Sequence, residues 1–371
     1  MSTVCEINMC AGCMSCKDIC PRNAITIKDS LKAYNAAIDE NLCINCNACH
    51  NMCQSNHRPT FRAPVYWKQG WAKDKSIREH SSSGGFATAL ELAFVRQGGV
   101  VCSCTFQDGD FVFILAETGD DIHLLTGSKY VKSNPEGIYK KIKNKLQSKT
   151  KVLFVGLPCQ VAAVLNYCGA PDDLYTIDLI CHGSPSPKLL SMYLRENQIH
   201  IEDIKDISFR NKTNFKLMAG KRRLTHPRIS DYYTSTFLNG TTYTENCYSC
   251  NYARMERVSD LTLGDSWGSE LTKEEQEKGI SLLLAQTEKG IQLVKTADIE
   301  LIDVSIDLAI ANNHQLQHPS MKNSARETFF KELEKGSSFS KAYIKSFPDQ
   351  HRKDVVKKVL IALKLLREDK A

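Results

Sequence analysis

Residues 10–21 read CAGCMSCKDICP, and residues 43–53 read CINCNACHNMC. Both segments carry the cysteine pattern C-x2-C-x2-C-x3-C; Pro21 follows the first, whereas Gln54 follows the second. Three cysteines at this spacing let one short loop present three thiolates to a cubane, and the fourth is placed to reach a second cubane. The duplicated pattern therefore predicts two 4Fe–4S clusters in a small α+β ferredoxin-like domain at residues 1–63.

The two predicted clusters exchange one ligand between the runs, as in bacterial two-cluster ferredoxins. On this pattern, the ligands of one cluster are Cys10, Cys13, Cys16 and Cys53. The ligands of the other are Cys43, Cys46, Cys49 and Cys20. The alternatives are structural zinc, which favours two separated C-x2-C pairs, and disulfides, which belong to oxidising compartments. We favour clusters, and we interpret Cys5, which lies outside the pattern, as incidental.

The composition limits the class of protein further. The 371 residues include 16 cysteines and are 42% hydrophobic, and the formal net charge of +6 is too small to indicate nucleic-acid binding. The N-terminal residues lack the basic and apolar stretches of a signal peptide. No apolar run approaches the roughly 18–20 residues of a membrane-spanning helix. We therefore expect a cytoplasmic protein with no nucleic-acid partner.

After the cysteine-rich head, apolar strands alternate with helical segments. Residues 86–94 have the apolar spacing of a helix. Two continuous apolar strands, at residues 151–155 and 175–180, flank a helical segment at residues 161–167. The order strand, helix, strand predicts an α/β fold, with a mixed sheet that has a parallel core.

Four further cysteines suggest another site. Cys159 and Cys181 each follow one of the two strands, and Cys247 and Cys250 form a C-x2-C pair farther along the chain. Ligands of parallel sheets gather beyond the carboxyl ends of the strands. The spacing leaves two interpretations open, a four-thiolate site for a third cluster or small apolar side chains in the core. We interpret as core residues Cys102, Cys104 and Cys168.

Several motifs then occur in the order typical of one family. They are Ser82-Ser83-Gly84-Gly85, Gly127-Ser128-Lys129-Tyr130-Val131, Phe154-x-Gly156-x-Pro158-Cys159-Gln160, Cys181-His182-Gly183, Cys247-x2-Cys250 and Leu263-Gly264-Asp265-x-Trp267-Gly268. Over residues 65–310 the chain resembles the coenzyme F420 hydrogenase/dehydrogenase beta-subunit family, in which fused ferredoxin modules are common. The resemblance implies an FAD beside a third 4Fe–4S cluster, whose ligands would be Cys159, Cys181, Cys247 and Cys250.

The resemblance also implies how the chain is divided after the ferredoxin-like domain. We expect a flavin-binding part at residues 64–150 and a part with the third cluster at residues 151–318. A helical, basic tail follows at residues 319–371. Within it, residues 355–366 have an amphipathic pattern. We favour a helix docked on the protein over one that lies on a membrane surface.

The implied flavin site combines two loops with a later motif. Small residues before a helix expose N–H groups that suit a pyrophosphate, although an ordinary N-cap is the alternative. For Asp265 and Trp267 of the later motif, the alternative is plain packing. For Lys129 of the second loop, the alternative is a solvated side chain. The implied cofactor-binding residues are Ser82, Ser83, Gly84, Gly85, Gly127, Ser128, Lys129, Tyr130, Asp265 and Trp267.

Two residues are candidate catalytic groups. His182 either donates a proton near the flavin or caps a turn. Lys129 contacts the flavin phosphates or stabilises negative charge on the reduced ring. Arg210 and Lys212 either hold an anionic substrate or are exposed basic residues.

The expected function is that of a flavin-dependent oxidoreductase. Single electrons would cross the clusters to the flavin, which delivers them in pairs to a small-molecule substrate or a diffusible coenzyme. An electron-donor protein such as ferredoxin is the expected partner. The alternative is an electron-transfer subunit that delivers electrons to a partner enzyme and has no substrate of its own.

Overall fold

The computed structural model describes residues 2–226 and 228–365. The strands are β1 (Ile25–Asp29), β2 (Tyr34–Ile38), β3 (Tyr66–Ala72), β4 (Val100–Gln107), β5 (Asp110–Ala116), β6 (Val152–Gly156), β7 (Leu174–Leu179), β8 (Ile207–Asn211), β9 (Asn214–Ala219), β10 (Arg222–Arg223), β11 (Leu261–Asp265), β12 (Ser281–Ala285) and β13 (Ile299–Ile302).

The helices vary from one turn to several. They are α1 (Ser15–Ile19), α2 (Ala48–Met52), α3 (Lys75–His80), α4 (Phe86–Arg96), α5 (Gly119–His123), α6 (Ile138–Gln147), α7 (Pro158–Cys168), α8 (Pro187–Glu196), α9 (Tyr232–Leu238), α10 (Lys273–Glu277), α11 (Glu288–Thr296), α12 (Ile306–Asn312), α13 (Ser324–Glu334), α14 (Phe339–Ser346) and α15 (Pro348–Ala362).

The N-terminal head repeats one small unit twice. Strands β1 and β2 form an antiparallel pair, and α1 and α2 each begin within one of the two cysteine runs. The residues before these helices, Met14 and Asn47, occupy equivalent positions and both have a left-handed backbone, with φ of 60° and 56°. The sequence repeat is thus a structural repeat, and the predicted small α+β domain is confirmed.

The body is built on one eight-stranded sheet with the order β13-β3-β12-β11-β7-β6-β4-β5. Strands β4, β6, β7 and β11 are mutually parallel, and the outer pairings are antiparallel. Strands β6 and β12 are buried along their whole length, as expected for strands covered on both faces. The predicted α/β fold with a mixed sheet and a parallel core is confirmed.

Helices cover both faces of this sheet. Helices α4 and α11 pack on one face, and α6 and α7 pack on the other. The head packs against α6 and α7, so a single apolar cluster contains Cys13 of the head and Phe154 of the body. Helix α7 begins at Pro158, where proline is favoured in a first turn, and not at Val161 as predicted. Cys159 therefore lies in the first turn of the helix.

The C-terminal tail departs from the predicted docked helix. Asp354 of α15 is buried, and His351 contacts the hydroxyl of Tyr232 at 3.2 Å. Most of the following apolar residues are exposed, however, with Val356 57% exposed, and only Leu360 and Ile361 are half-buried. The tail therefore docks on the protein only at the start of α15. Leu366, the last residue of the predicted amphipathic pattern, lies outside the described residues. None of the helices in the described ranges is both long and apolar enough to span a membrane.

Candidate electron-transfer centres

The first group of thiols, which we call the inner site, consists of Cys10, Cys13, Cys16 and Cys53. All four side chains are buried. Burial raises the pKa of the Cys16 thiol, and the neighbouring thiolates of Cys13, Cys10 and Cys53 raise this pKa further. Cys53 of the second run has therefore joined three cysteines of the first. The amide of Gly12 donates a hydrogen bond to Cys10 Sγ at 3.4 Å, a contact of the kind that tunes cluster potentials.

Cys5 is not incidental, because it belongs to the packing around the inner site. It is buried in the same apolar cluster as Cys10 and Cys53. Hydrogen bonding between the Cys5 thiol and the sulfurs of these two residues raises the pKa of Cys5 and lowers that of Cys53 to about 6. Its distance from the C-x2-C-x2-C-x3-C pattern hid this contact at the level of sequence.

The second group, the outer site, consists of Cys20, Cys43, Cys46 and Cys49. These four residues line one open cavity of about 450 Å³, and Cys46 is exposed. The amide of Asn45 donates to Cys43 Sγ at 3.4 Å, which repeats the contact of Gly12 with Cys10 in the other run. The structure therefore also brings Cys20 of the first run to the three cysteines of the second.

The third group, the body site, consists of Cys159, Cys181, Cys247 and Cys250. Cys159 follows β6, Cys181 follows β7, and the C-x2-C pair lies on and just after a 3₁₀ turn at Glu245–Ser249. All four line one cavity of about 170 Å³, and so do residues of the head such as Ala11 and Gln54. The sequence placed these four cysteines on three separate segments, and the structure brings them together.

The charges around the body site fit an anionic cluster. Lys132 and Arg257 line its cavity, and they are only 5% and 1% exposed. Within the described part of the chain, Arg257 Nε and Nη2 are buried without a hydrogen-bond partner. Buried donors of this kind require a partner. The buried carboxylate of Asp178 lies within electrostatic range of Arg257, and a cluster held by four thiolates would supply further negative charge beside it. In the ranges that the structure describes, no three His, Cys, Asp or Glu side chains are arranged to hold a single metal ion.

The three sites form a series. Helices α1 and α2 pack together between the outer and inner sites, and Cys49 of the outer site acts electrostatically on Cys16 of the inner site. Burial raises the pKa of Tyr139, and the thiolates of Cys13 and Cys159 raise this pKa further. Cys13 of the inner site and Tyr139 belong to one apolar cluster, and Cys159 and Cys250 of the body site pack against it. The inner site is therefore the middle member.

The two predicted flavin loops meet at the N-terminus of α4. The amide of Ser128 donates to Ser82 Oγ at 2.8 Å. Gly85, with φ of 91°, precedes the helix, and no side chain caps it. Lys212 is not an exposed base, because its Nζ donates to the carbonyls of Ser81 and Ser83 and holds the first loop.

The glycine of that loop has a packing role of its own. A Cβ on Gly84 would lie 2.4 Å from the carbonyl oxygen of Gly70. Only glycine therefore lets the loop pass this close to β3. Ser83 adds to the contact through its hydroxyl, which donates to the carbonyl of Ile280 at 2.8 Å.

Arg210 connects the second loop to the later motif. It donates to both carboxylate oxygens of Asp265, at 2.7 and 3.0 Å, and to the hydroxyl of Tyr130 at 3.3 Å. Its guanidinium also lies 5.6 Å from the ring centre of Trp267. Arg210 is thus a buried, paired residue and not an exposed one. Three of the residues predicted for the flavin surround it.

The two candidate catalytic side chains have internal partners. Lys129 Nζ donates to the carbonyls of Leu125 and Thr126, so it stabilises the turn before its own loop. Burial and the nearby His314 lower the pKa of His182 to about 4, which leaves its imidazole neutral at pH 7. His182 Nδ1 lies 2.7 Å from Gln315 Nε2, and the residue lines the body-site cavity. The catalytic roles of Lys129 and His182 stay predictions.

The sequence interpretation missed two residues of the body site. Lys132 comes directly after the motif at residues 127–131, which was its only signal. Arg257 carried no signal, because it is one of many basic residues and its burial depends on the folded contacts.

The fold and the three groups of thiols define an iron–sulfur electron-transfer protein. Family models match three stretches: the 4Fe-4S dicluster domain at residues 9–57, the coenzyme F420 hydrogenase/dehydrogenase beta subunit N-term at residues 68–136, and the C terminus of that subunit at residues 149–305. The chain belongs to the coenzyme F420 hydrogenase/dehydrogenase beta-subunit family, an oxidoreductase family, and carries a dicluster domain at the N-terminal end of the match.

Comparisons with whole proteins add less to the identification than the family models do. No curated protein matches the sequence. Among solved structures, the chain is similar to one from the xenon-derivatised F420-reducing NiFe hydrogenase complex of Methanosarcina barkeri. The two are 19% identical, the match covers 74% of this chain and 95% of the other, and the TM-score is 0.49.

Proposed function

We propose that the protein is an electron-transfer subunit that conducts electrons along the outer, inner and body sites to or from a partner enzyme. The observation that supports this most directly is the exchange of Cys20 and Cys53 between the two runs. It produces one exposed site and one buried site, and the buried one lies beside the body site. Cluster chains of this kind relay single electrons when the potentials of neighbouring clusters are suitable.

The direct test is the metal content of anaerobically purified protein. Three clusters require about twelve irons and about twelve sulfides per chain. The Cys250→Ser variant should lose about four irons, whereas Cys168→Ser, which changes a thiol outside the three sites, should lose none. About eight irons in the native chain would show that the body site holds no cluster. Bound zinc would overturn the proposal.

Electron transfer itself needs a second measurement. The native chain should take electrons from a reduced ferredoxin and pass them to an artificial dye. If the body site is the terminal member of the series, Cys250→Ser should take up electrons but reduce the dye much more slowly. Equal dye reduction by both proteins would contradict this order of the sites.

A flavin-dependent oxidoreductase is the second candidate function. The observation that favours it is the contact of Ser82 with Ser128 at the uncapped N-terminus of α4, where free N–H groups suit a pyrophosphate. An FAD would supply the conversion between single electrons and pairs. Tyr130, Asp265 and Trp267 would then border its ring, and Lys212 would hold the first loop in place.

Flavin content separates the two candidate functions. About one FAD per chain, released by denaturation, would support the oxidoreductase. Ser82→Ala should then weaken flavin retention at an unchanged iron content, and the exposed Ser148→Ala serves as the control. A fully metallated chain without flavin, which co-purifies with another subunit, supports the carrier alone. The substrate or coenzyme stays a prediction that depends on the flavin.

A further inference from the structure

Lys132 is a buried cation that contacts both the head and the body. Its backbone amide donates to the carbonyl of Pro185 at 2.9 Å, in the loop that follows Cys181. Its Nζ donates to the carbonyl of Ala11 at 2.9 Å, between the first two cysteines of the inner site. The same nitrogen lies 5.2 Å from the ring centre of Tyr34. The side chain thus crosses the boundary between two parts that hold separate sites.

The charge of Lys132 lies beside both groups of thiols. Its Nζ contacts the carbonyl of Ala11, the residue next to Cys10 of the inner site. Lys132 also lines the body-site cavity together with Cys159 and Cys181. Because the surroundings are buried, such an interaction is screened less than one in water.

The head makes room for this lysine with a glycine. Gly12 has φ of 71°, and a Cβ there would lie 2.9 Å from Lys132 Cδ and 2.8 Å from the ring of Tyr34. The equivalent residue of the second run is Asn45, which is exposed and carries a side chain on the same left-handed backbone, with φ of 55°. The first run is therefore adapted to the lysine, whereas the second is not.

We propose that Lys132 is a positioning residue that raises the reduction potentials of the inner and body clusters together. Adding an electron makes a cluster more negative, so a nearby fixed positive charge favours the reduced form. One charge between two clusters shifts both potentials in the same direction, so it changes the difference between them far less than it changes either potential. This inference rests on the proposed clusters at the inner and body sites.

Arg257 provides an internal comparison. It lines the body-site cavity together with Cys250. Its guanidinium donates to the carbonyl of Tyr252 within the body. Its charge should therefore affect the body cluster more than the inner one, in contrast to that of Lys132.

The test is a redox titration of the clusters, followed by electron paramagnetic resonance on anaerobic protein. In Lys132→Met, the potentials of the inner and body clusters should both become more negative, while that of the outer cluster stays unchanged. Lys132→Arg should keep both near their native values. Lys145→Met removes a half-buried lysine of α6 that is paired with Glu117, and it should shift none. Cys250→Ser identifies the signal of the body cluster by removing it.

Several outcomes would overturn the inference. Unchanged potentials in Lys132→Met, a shift of one cluster alone, or an equal shift in Lys132→Arg would each exclude a shared charge effect. If Lys132→Met loses iron, Lys132→Gln keeps a donor for the Ala11 carbonyl without the charge and decides the matter by the same readout. A native chain without the two clusters would instead refute the proposed function, which the iron count shows before any variant is made.

Discussion

The hydroxyl of Tyr139 donates a hydrogen bond to the carbonyl oxygen of Cys13. Both residues are buried, and the bond joins α6 of the body to the loop of the inner site. A buried carbonyl that loses its donor costs about 1–3 kcal/mol. The contact is therefore a specific link between the stability of the whole chain and the integrity of the inner site.

Tyr139→Phe should lower the stability of the anaerobic protein by about 1–2 kcal/mol and hasten the loss of the inner cluster. The matched control is Tyr167→Phe, whose hydroxyl makes a longer bond of 3.4 Å to the carbonyl of Asp18. Thermal unfolding and the rate of iron release to a chelator measure the two effects. An equal or larger effect of the control would contradict the role of the Cys13 contact.

Replacing one cysteine at a time tests how the two runs divide their cysteines between the two clusters. Cys20→Ala should remove the exposed outer cluster, and Cys53→Ala should remove the buried inner one. Each variant should lose about four irons per chain, but only Cys53→Ala should disturb the packing against α6 and α7. Loss of the inner cluster's spectrum in Cys20→Ala and of the outer cluster's spectrum in Cys53→Ala would refute the exchange.

Cys5 gives a sharper version of the same question. It is buried in the same apolar cluster as Cys10 and Cys53, yet it has no place in the four-cysteine pattern. Cys5→Ala should keep all iron at the inner site, because Cys10, Cys13, Cys16 and Cys53 suffice. Loss of about four irons would make Cys5 a ligand and would release one of the four for another role.

The ion pair of Arg210 and Asp265 should contribute to stability far more than a surface pair. The side chain of Arg210 is only 5% exposed, so Arg210→Met leaves a largely buried carboxylate without its partner. We expect a loss of about 3 kcal/mol, part of which Asp265→Asn should restore in the double variant. Arg254→Met breaks the exposed pair with Glu256 and should cost less than about 1 kcal/mol. Urea unfolding measures both, and equal losses would contradict the expectation.

Much of this fold follows from local sequence signals. The cysteine runs specify the head because the ligand spacing is itself the structural signal, and the apolar runs at β6 and β7 specify a sheet covered on both faces. The predicted ends of helices and strands were less accurate. Helix α7, for example, begins at Pro158 and not at Val161. Lys132 and Arg257 could not be placed, since their burial depends on contacts between segments far apart in the chain. The equivalent positions Gly12 and Asn45 carried one signal for the site of Lys132, because only the first run has a glycine there.

The middle of α4 contains a carboxyl group that makes stability depend on pH. Burial raises the pKa of Glu91 from its usual 4.5 to about 8, and the charge of Lys129 offsets part of this rise. In the folded chain the carboxyl keeps its proton until about pH 8, whereas in the unfolded chain it ionises near pH 4.5. Between these values the folded state binds more protons, so stability falls as the pH rises.

Glu91→Gln carries a neutral amide at every pH and should remove this dependence. Its melting temperature should exceed that of the native chain at pH 8 by more than at pH 5, with up to about 1.4 kcal/mol for each unit of pKa shift. Glu327→Gln, at an exposed position of α13, is the control. It should change the melting temperature by the same amount at pH 5 and at pH 8. Melting curves of protein with the same iron content measure the difference. A constant gap between Glu91→Gln and the native chain from pH 5 to pH 8 would show that Glu91 is ionised in the folded state, because only a proton held by the native carboxyl makes the gap grow with pH.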